Sequence, residues 1–473
     1  MSIERRHFLR APALLPALSS TRPAGAHSAN SITQAYQEVA GKIMGACLAD
    51  TAGMEKLIYL CDRIGNRLAG SPALHRAIAW AAETMRADGL ENVATPPVKV
   101  PVWIRGKEWA KLLLPGERAL PMLGLGGSVA TPPQGVIADV VVVPDFDTLD
   151  ALGRPGIEGK VVLFNPVYEG YRNTVRYRSS GASRAADYGA VAALVRSVTP
   201  VSLQSPHTGA LRYTVDAPRI PSAAITVEDA AQMARLQARG VPIRVHLMME
   251  AHTAPDTDSA NVVGEITGNS APKEIVVMGG HSDSWDVGQG AQDDGSGCLA
   301  AMQALANIRK LGLRPRRTLR VCLWTNEENG LRGGNAYQAW SEARGEKHVA
   351  AMEMDGGAER PLGFGLGLRA RDGSQENHLT QAIVRLKHVG ALLEGIHAGE
   401  ITTGGGGADI SPLMSGGTPG LGLRTVGEKY FHWHHTHADT VDKVDPQDFR
   451  ACMAALGVVG FVLADMPETL VPM

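Results

Sequence analysis

The feature that most limits the fold is an alternation of apolar strands with amphipathic helices in the second half of the chain. Apolar runs of strand length occur at Glu274–Met278, Thr318–Trp324 and Val349–Met354, and a helical pattern over residues 296–312 joins the first two. Such alternation is typical of a largely parallel sheet flanked by helices. The chain has 473 residues, enough for one such domain and an insertion. We therefore predict an α/β fold with a mostly parallel sheet.

The stretch from residue 126 to residue 249 has a different texture. Strand-like runs such as Val136–Val143 and Lys160–Phe164 alternate with Gly, Pro and Asp turns, and helical patterns follow at 182–188 and 227–238. We interpret it as a compact α/β unit of its own, distinct from the larger domain formed by the rest of the chain. No chemical motif falls within this unit, so the chemistry is expected in the larger domain.

Polar side chains follow each apolar strand of the larger domain. The first strand runs into His281 and a loop that reaches Asp293, the second into Glu327 and Glu328, and the third into Asp355. A histidine-rich group spans residues 432–439. Because the carboxyl ends of parallel strands meet at one edge of a sheet, these groups are expected to lie close together.

Taken singly, each group has an ordinary explanation, such as a packed histidine, a turn or a solvated pair of acids. Taken together, they place at least four carboxylates side by side and partly away from water, an arrangement that is costly unless a cation neutralises it. Imidazole and carboxylate together form the ligand set that zinc accepts in catalytic sites. The residues therefore predict a metal centre, with enough ligands for two ions that share one carboxylate.

The motifs resemble metallopeptidase family 28. The resemblance is carried by HSDSWDVGQGAQDDGSG (281–297), WTNEENG (324–330), MEMDGG (352–357) and HHTHADT (434–440). It extends to NRLAGSPALHRAIAW (66–80), SPHTG (205–209), ITVEDA (225–230) and LGLRPRRTLR (311–320), and so covers the chain from about residue 40 onward. It implies a zinc-dependent exopeptidase fold of the phosphorylase/hydrolase-like type. In that fold, residues 126–249 would form the family's protease-associated domain, inserted into a catalytic domain made of residues 27–125 and 250–473.

The resemblance also implies a role for each site residue. His281 and Asp355 would bind one zinc ion, Glu328 and His435 a second, and Asp293 would bridge the two zinc ions of each subunit. Glu327 would be the general base, and Asp283 would stand behind His281 as the carboxylate that fixes its tautomer.

The histidine-rich group leaves the fifth ligand open on spacing alone, because His432, His434, His435 and His437 all compete for it. The family places the ligand four residues before the closing acid, here Asp439, which selects His435 with His437 as the next candidate.

The activity implied is hydrolysis of dipeptides and short peptides by a carboxypeptidase or dipeptidase, whereas many members of the family are aminopeptidases. Both chemistries use the same metal cluster, so which end of the peptide is cut stays open.

Two rival functions share the architecture. A metal-free receptor or binding module would have lost some of the metal ligands, yet every ligand position here is occupied by a suitable residue. A one-zinc cyclase of N-terminal glutamine would not need the intact bridging motif or the insert. The resemblance further implies a homodimer.

The first 26 residues are interpreted as an export signal. Arg5 and Arg6 begin a sequence that resembles the twin-arginine motif, a short apolar stretch follows, and Ala24-Gly25-Ala26 is typical of a cleavage site. The apolar stretch is shorter than the roughly 20 residues that span a bilayer. We therefore expect a periplasmic or secreted protein without a membrane span. The formal net charge of −2 gives no global attraction to nucleic acid or anionic membranes.

The five cysteines include no CxxC pair, which argues against a cysteine zinc site. Cys298 and Cys322 lie in apolar elements and are expected to be buried free thiols. A disulfide between Cys47 and Cys61 is left open. The run of four glycines at Gly404–Gly407 is interpreted as reshaping one wall of the substrate cleft.

Overall fold

The structure is a computed structural model that describes residues 26–369 and 375–472. The predicted export signal lies outside these residues, except for Ala26. The α-helices are α1 Ala26–Leu48, α2 Ala52–Tyr59, α3 Pro72–Ala87, α4 Phe146–Ile157, α5 Tyr171–Asp187, α6 Val227–Gln237, α7 Ser296–Lys310, α8 Arg332–Ala343, α9 Gln375–Gly390, α10 Ser411–Ser415, α11 Tyr430–Trp433 and α12 Pro446–Asp465.

The strands form two sheets of eight strands and one of two. They are β1 Glu91–Ala94, β2 Pro97–Ile104, β3 Glu108–Leu114, β4 Arg118–Leu120, β5 Met122–Gly124, β6 Val136–Val143, β7 Val161–Phe164, β8 Ala192–Arg196, β9 Ser222–Ile225, β10 Arg244–Met249, β11 His252–Ala260, β12 Val262–Ile266, β13 Ala271–His281, β14 Arg317–Trp324, β15 Lys347–Glu353, β16 Pro361–Gly367, β17 Glu400–Thr403 and β18 Gly420–Thr425.

The larger sheet has the order β1-β12-β14-β13-β15-β18-β16-β17. Its four central strands, β14, β13, β15 and β18, run parallel, and both flanks join them through antiparallel pairs. All eight residues of β14 are buried. A strand covered on both faces reads as a continuous apolar run, which is why the sequence pattern found it. The predicted α/β fold with a parallel centre is confirmed.

Helices cover this sheet and create the main core. Helix α12 packs against α1 and α7, and its buried side chains share one apolar cluster with those of β13 and β14. Helix α12 is long and apolar enough to cross a membrane, but 78% of its most apolar window is buried inside the protein. That burial is what a core helix shows, and α12 is the one candidate span among the described residues.

The second large sheet has the order β4-β3-β10-β6-β7-β8-β9-β5. Its parallel centre, β6 to β9, and its helices α4 to α6 come from the stretch that was interpreted as an insert. Strands β3, β4 and β5 also belong to this sheet through antiparallel pairs: β3 with β10, β4 with β3, and β5 with β9. The second sheet therefore begins near residue 108, on the N-terminal side of the boundary expected at residue 126.

The cysteines and the glycine run have plain structural explanations. All five cysteines are free and buried, as expected for Cys298 and Cys322, and Cys47 and Cys61 form no disulfide. Three glycines of the run pack closely: a Cβ on Gly405 would lie 2.0 Å from the carbonyl oxygen of Gly365 in the neighbouring strand, and Cβ atoms on Gly406 and Gly407 would meet the side chains of Met414 and Glu353. These positions serve close packing, and no residue of the run is among those that line the main cleft.

Candidate metal centre

The predicted site residues come together at the carboxyl ends of the parallel strands. His281 is the last residue of β13, Glu327 and Glu328 follow β14, and Asp355 follows β15 by two residues. Asp293 lies in a short helical turn, Ala291–Gly295, that leads into α7. Because these strands are neighbours, their ends bring together side chains that are up to 74 positions apart in the sequence.

Asp293 lies at the centre of the group. Its Oδ1 is 3.1 Å from His281 Nε2, and its Oδ2 is 3.1 Å from His435 Nε2. On one side, Asp355 Oδ1 is 3.6 Å from His281 Nε2. On the other, Glu328 Oε2 is 3.1 Å from His435 Nε2. The two oxygens of one carboxylate thus face two separate groups of donors.

Two overlapping sets of three residues each place their donor atoms within 4.8 Å of one another. One set is His281, Asp293 and Asp355; the other is Asp293, His434 and His435. The first matches a ligand group implied by the resemblance. The second contains His434 where the resemblance implies Glu328.

Four histidines competed for the last ligand position, and the structure separates them. His435 is buried and its Nε2 faces two carboxylates, whereas His437 is exposed. His434 is also buried, with Nε2 3.6 Å from Asp293 Oδ2 and its ring stacked on His435 at 3.5 Å between centroids. His432 has no contact with the acids of this group among the described residues. The geometry therefore favours His435 and leaves His434 as its neighbour and competitor.

Asp283 differs from the role that the resemblance implies. The Nδ1 of His281 is 3.0 Å from the backbone carbonyl oxygen of Asp283 but 3.9 Å from its carboxylate. The carboxylate instead accepts the backbone N–H groups of Glu327 at 3.1 Å and Glu328 at 3.3 Å. The main chain therefore orients His281, while the side chain of Asp283 holds the loop that carries the other two acids.

Three further charged residues support the centre, and spacing in the sequence gave no role for them. Asp439 accepts the backbone N–H groups of Gln292 at 2.7 Å and of Asp293 at 3.2 Å, which fixes the turn at the middle of the site. Asp294 accepts the N–H of His281 at 3.0 Å. Arg67 is fully buried and donates to three carbonyl oxygens of the loop that follows His281, those of Ser282, Gln289 and Gly290.

Burial sets the electrostatics of the acids. Removal from water, with the charge of Asp293 nearby, raises the pKa of Glu328 to about 7. Removal from water and the neighbouring Asp355 hold the pKa of Glu327 well above its ordinary value. Carboxylates respond in this way when like charges are crowded in a low dielectric. A divalent cation between them would reverse the effect.

The donor set fits a transition metal such as zinc. Asp293 Oδ2 is buried and accepts no hydrogen bond, although His435 Nε2 lies 3.1 Å away. A buried carboxylate oxygen without a hydrogen bond needs an explanation, and an ion is one of the common explanations. Imidazole nitrogen and carboxylate oxygen in groups of three, with an open side, are typical of catalytic zinc sites.

A cleft of about 560 Å³ opens over the centre. Its acidic lining residues are Asp293, Glu327, Glu328 and Asp355, and its basic lining residues besides histidine are Arg178 and Arg212, both from the second sheet's unit. Clefts of this volume are in the range that holds small ligands. The contribution of the unit around the second sheet was missed by the sequence analysis, which expected no chemistry there; only the SPHTG resemblance could have pointed to it.

Comparisons with known proteins agree with this architecture. The model of peptidase family M28 matches residues 261–459. Carboxypeptidase Q from Bos taurus is 43% identical over 438 residues, which cover 92% of this chain and 90% of the relative. A peptidase M28 precursor from Shewanella amazonensis SB2B is similar with a TM-score of 0.86 at 33% identity, over 93% of this chain and 99% of that chain. A zinc aminopeptidase from Bacillus subtilis has a TM-score of 0.64 at 18% identity, over 89% of this chain and 96% of that one, which supports the fold alone.

Proposed function

The chain belongs to peptidase family M28, as a carboxypeptidase Q-like metallopeptidase, and from that premise we propose that it is a di-zinc exopeptidase that removes C-terminal residues from dipeptides and short peptides. Its relatives of about 42–43% identity carry the name carboxypeptidase Q. The number and identity of the metals, the base and the end that is cut are parts of the proposal, and each has its own support.

Two zinc ions are supported by the two-sided surroundings of Asp293. We assign His281, Asp293 and Asp355 to one ion, and Asp293, Glu328 and His435 to the other. Asp293 has a carboxylate oxygen 3.1 Å from a histidine Nε2 on either side, which is the arrangement that a bridging ligand requires. When bound, the ions would polarise the scissile carbonyl group and lower the pKa of the attacking water.

The preference for a free C-terminus is carried by one observation, the charge of the cleft. Two divalent ions would match the charge of the four lining acids, which leaves Arg178 and Arg212 as the unbalanced charges. Arg212 is exposed and has no ion-pair partner within residues 26–369 and 375–472. Arg178 already donates from Nη1 to the Thr208 carbonyl oxygen and from Nη2 to the Tyr171 hydroxyl, so Arg212 is the arginine of the cleft with free donors. A guanidinium with free donors is the group best suited to bind a carboxylate.

Glu327 is assigned as the general base. Its side chain lines the cleft beside Glu328 and Asp355, and Asp283 anchors its backbone. The carboxylate of Glu327 accepts a proton from the attacking water and delivers it to the nitrogen of the leaving amine. General acid–base catalysis of this kind contributes roughly 10²–10⁴ in rate.

The test is incubation of the zinc-loaded protein with an unblocked tripeptide of three different residues, followed by mass spectrometry. We expect the C-terminal residue to appear first. Early release of the N-terminal residue would instead make the enzyme an aminopeptidase, and a tripeptide that survives while dipeptides are cut would make it a strict dipeptidase. If no peptide is cut although metal is bound, the peptidase activity proposed here is wrong.

The role of Arg212 can be tested separately with matched variants. Arg212→Ala should raise KM for a dipeptide with a free C-terminus and leave KM for the corresponding C-terminal amide unchanged. Arg172→Ala is the control, because Arg172 is an exposed arginine of α5 that does not line the cleft. Equal effects of the two alanine variants would remove Arg212 from the proposal.

Export, domain assignment and assembly are further parts of the proposal, and they follow from the family resemblance and the export motif. Residues 1–26 are proposed as a cleaved twin-arginine-type signal for a periplasmic or secreted protein, which fractionation of cells that express the full chain would test. The unit around the second sheet, residues 108–249, is proposed as the protease-associated domain. The homodimer implied by the resemblance is tested by light scattering of the purified protein.

A further inference from the structure

A loop of the second sheet's unit touches a proposed metal ligand at two points. This loop, residues 205–209 or SPHTG, was singled out in the sequence without a role. The N–H of Thr208 donates to the carbonyl oxygen of His435 at 3.0 Å. The carbonyl oxygen of Thr208 is in turn 3.2 Å from Nδ1 of the His435 ring. One residue of the loop therefore holds both the backbone and the ring of His435.

The backbone of His435 needs such support. Its φ is +63°, in the left-handed region that non-glycine residues seldom adopt. A residue in that region is strained and persists only where its surroundings enforce it. The bond from Thr208 to the His435 carbonyl is one such constraint, and it comes from 227 positions away in the chain.

Two groups face Nδ1 of His435: the Thr208 carbonyl oxygen at 3.2 Å, which can only accept, and Arg178 Nη1 at 3.4 Å, which can only donate. When a zinc ion is bound through Nε2, which faces Asp293 and Glu328, Nδ1 must carry the proton, and the Thr208 carbonyl oxygen is then its acceptor. This is the tautomer that can bind a metal through Nε2, and fixing the tautomer through the other nitrogen is the common device in metal sites.

The loop itself is held from both sides. The Oγ1 of Thr208 donates to the carbonyl oxygen of Gly124 at 2.7 Å. Arg178 Nη1 donates to the Thr208 carbonyl oxygen at 3.3 Å, so this oxygen accepts from an arginine and from His435. The next residue, Gly209, has φ +137°, and a Cβ there would lie 2.3 Å from Arg178 Cζ. Only glycine lets the Thr208 carbonyl point at His435 with Arg178 packed beside it.

We propose that the second sheet's unit completes the metal centre: Thr208 is the positioning residue for His435, and the zinc ion assigned to His435, Glu328 and Asp293 depends on the docked 205–209 loop. The inference rests on the proposed ligand role of His435. The unit would then be a structural part of the catalytic site in addition to forming a wall of its cleft.

The test compares zinc binding of full-length variants by equilibrium dialysis and elemental analysis. In Gly209→Ala, the change of φ would turn the peptide plane that carries the Thr208 carbonyl. We expect the zinc ion assigned to His281 and Asp355 to bind as in the wild type. The affinity for the second zinc ion, assigned to His435 and Glu328, should fall roughly 10- to 100-fold, the usual effect of losing an orienting partner. Gly159→Ala is the control, because Gly159 also has a positive φ, lies in the same unit and would place its Cβ in open space.

A milder pair keeps the proposal testable if Gly209→Ala does not fold. Thr208→Ala removes the anchor to Gly124 and should weaken the second zinc ion, whereas Thr208→Ser keeps the hydroxyl and should restore it. Wild-type affinity for both ions in Gly209→Ala or in Thr208→Ala, or equal weakening of both, would overturn the positioning role. The number of zinc ions bound by the wild-type protein is measured before any variant is made, and a single ion would overturn the two-zinc proposal as well.

Discussion

Replacing Asp283 with asparagine separates two accounts of how the centre is supported. The Asp283 carboxylate is fully buried and accepts the N–H groups of Glu327 and Glu328. The amide of asparagine has one oxygen, so it can accept one of the two and turns an NH₂ group towards the other. A hydrogen bond to a charged group contributes about 1.5–3 kcal/mol. If the full free energy of the lost hydrogen bond contributes to placing Glu327 and Glu328 for catalysis, kcat/KM should fall roughly 10- to 100-fold.

The same substitution leaves the main chain of residue 283 in place. Because its carbonyl oxygen orients His281, we expect the tautomer of His281 and the affinity of the zinc ion on that side to be unchanged. The assay is kcat/KM on a dipeptide, with long-range ¹H–¹⁵N NMR of labelled histidine as the readout of the tautomer. A changed His281 tautomer would show that the Asp283 carboxylate orients the ring after all. Activity within twofold of the wild type would refute the role of Asp283 in placing Glu327 and Glu328.

Three further substitutions follow from the contacts of single residues. Glu327→Gln should keep both zinc ions and lower kcat by at least 10²-fold, as roughly expected for loss of a general base; near-normal turnover would exclude Glu327 as the base. Asp293→Ala should lose zinc from both positions in elemental analysis, and a fully loaded variant would contradict the bridging role. For Glu346, burial alone would raise the pKa, but hydrogen bonds from Arg320 lower it from 4.5 to about 2. Because this pKa is lower in the folded than in the unfolded protein, the ionised carboxylate stabilises the fold above pH 4.5, and this stabilisation is lost as the pH falls towards 2. Glu346→Gln should therefore lower the melting temperature at pH 6 and have a smaller effect at pH 3. An effect on the melting temperature that grows with acidity would contradict the role given to Glu346.

The parts of the fold that the sequence predicted are those governed by local pattern. Strand β14 is buried along its whole length, so its apolar run was unambiguous, and α7 has apolar residues at helical spacing followed by a glycine. The meeting of His281, Glu328 and Asp355 followed from strand ends alone. The boundary predicted at residue 126 separates β3 from β10, whereas the two strands pair in the structure, a contact between distant segments that no local pattern reports.

The site residues that the sequence did not reveal depend on tertiary contacts or on one dihedral angle. Thr208 and Arg178 reach the centre only because the second sheet's unit docks there. Which way the Asp283 carboxylate points is a matter of side-chain rotamer, which spacing cannot give. The separation of His434 from His435 depends on a single left-handed residue, His435 itself, that turns one ring towards Glu328 and leaves the other stacked beside it.

The most direct test of the two-zinc centre is anomalous scattering at the zinc edge from crystals of the zinc-loaded protein. We expect two peaks, one among His281, Asp293 and Asp355 and the other among Asp293, Glu328 and His435, with Asp293 common to both. A single peak, or a second peak held by His434 or His437 in place of His435, would contradict it.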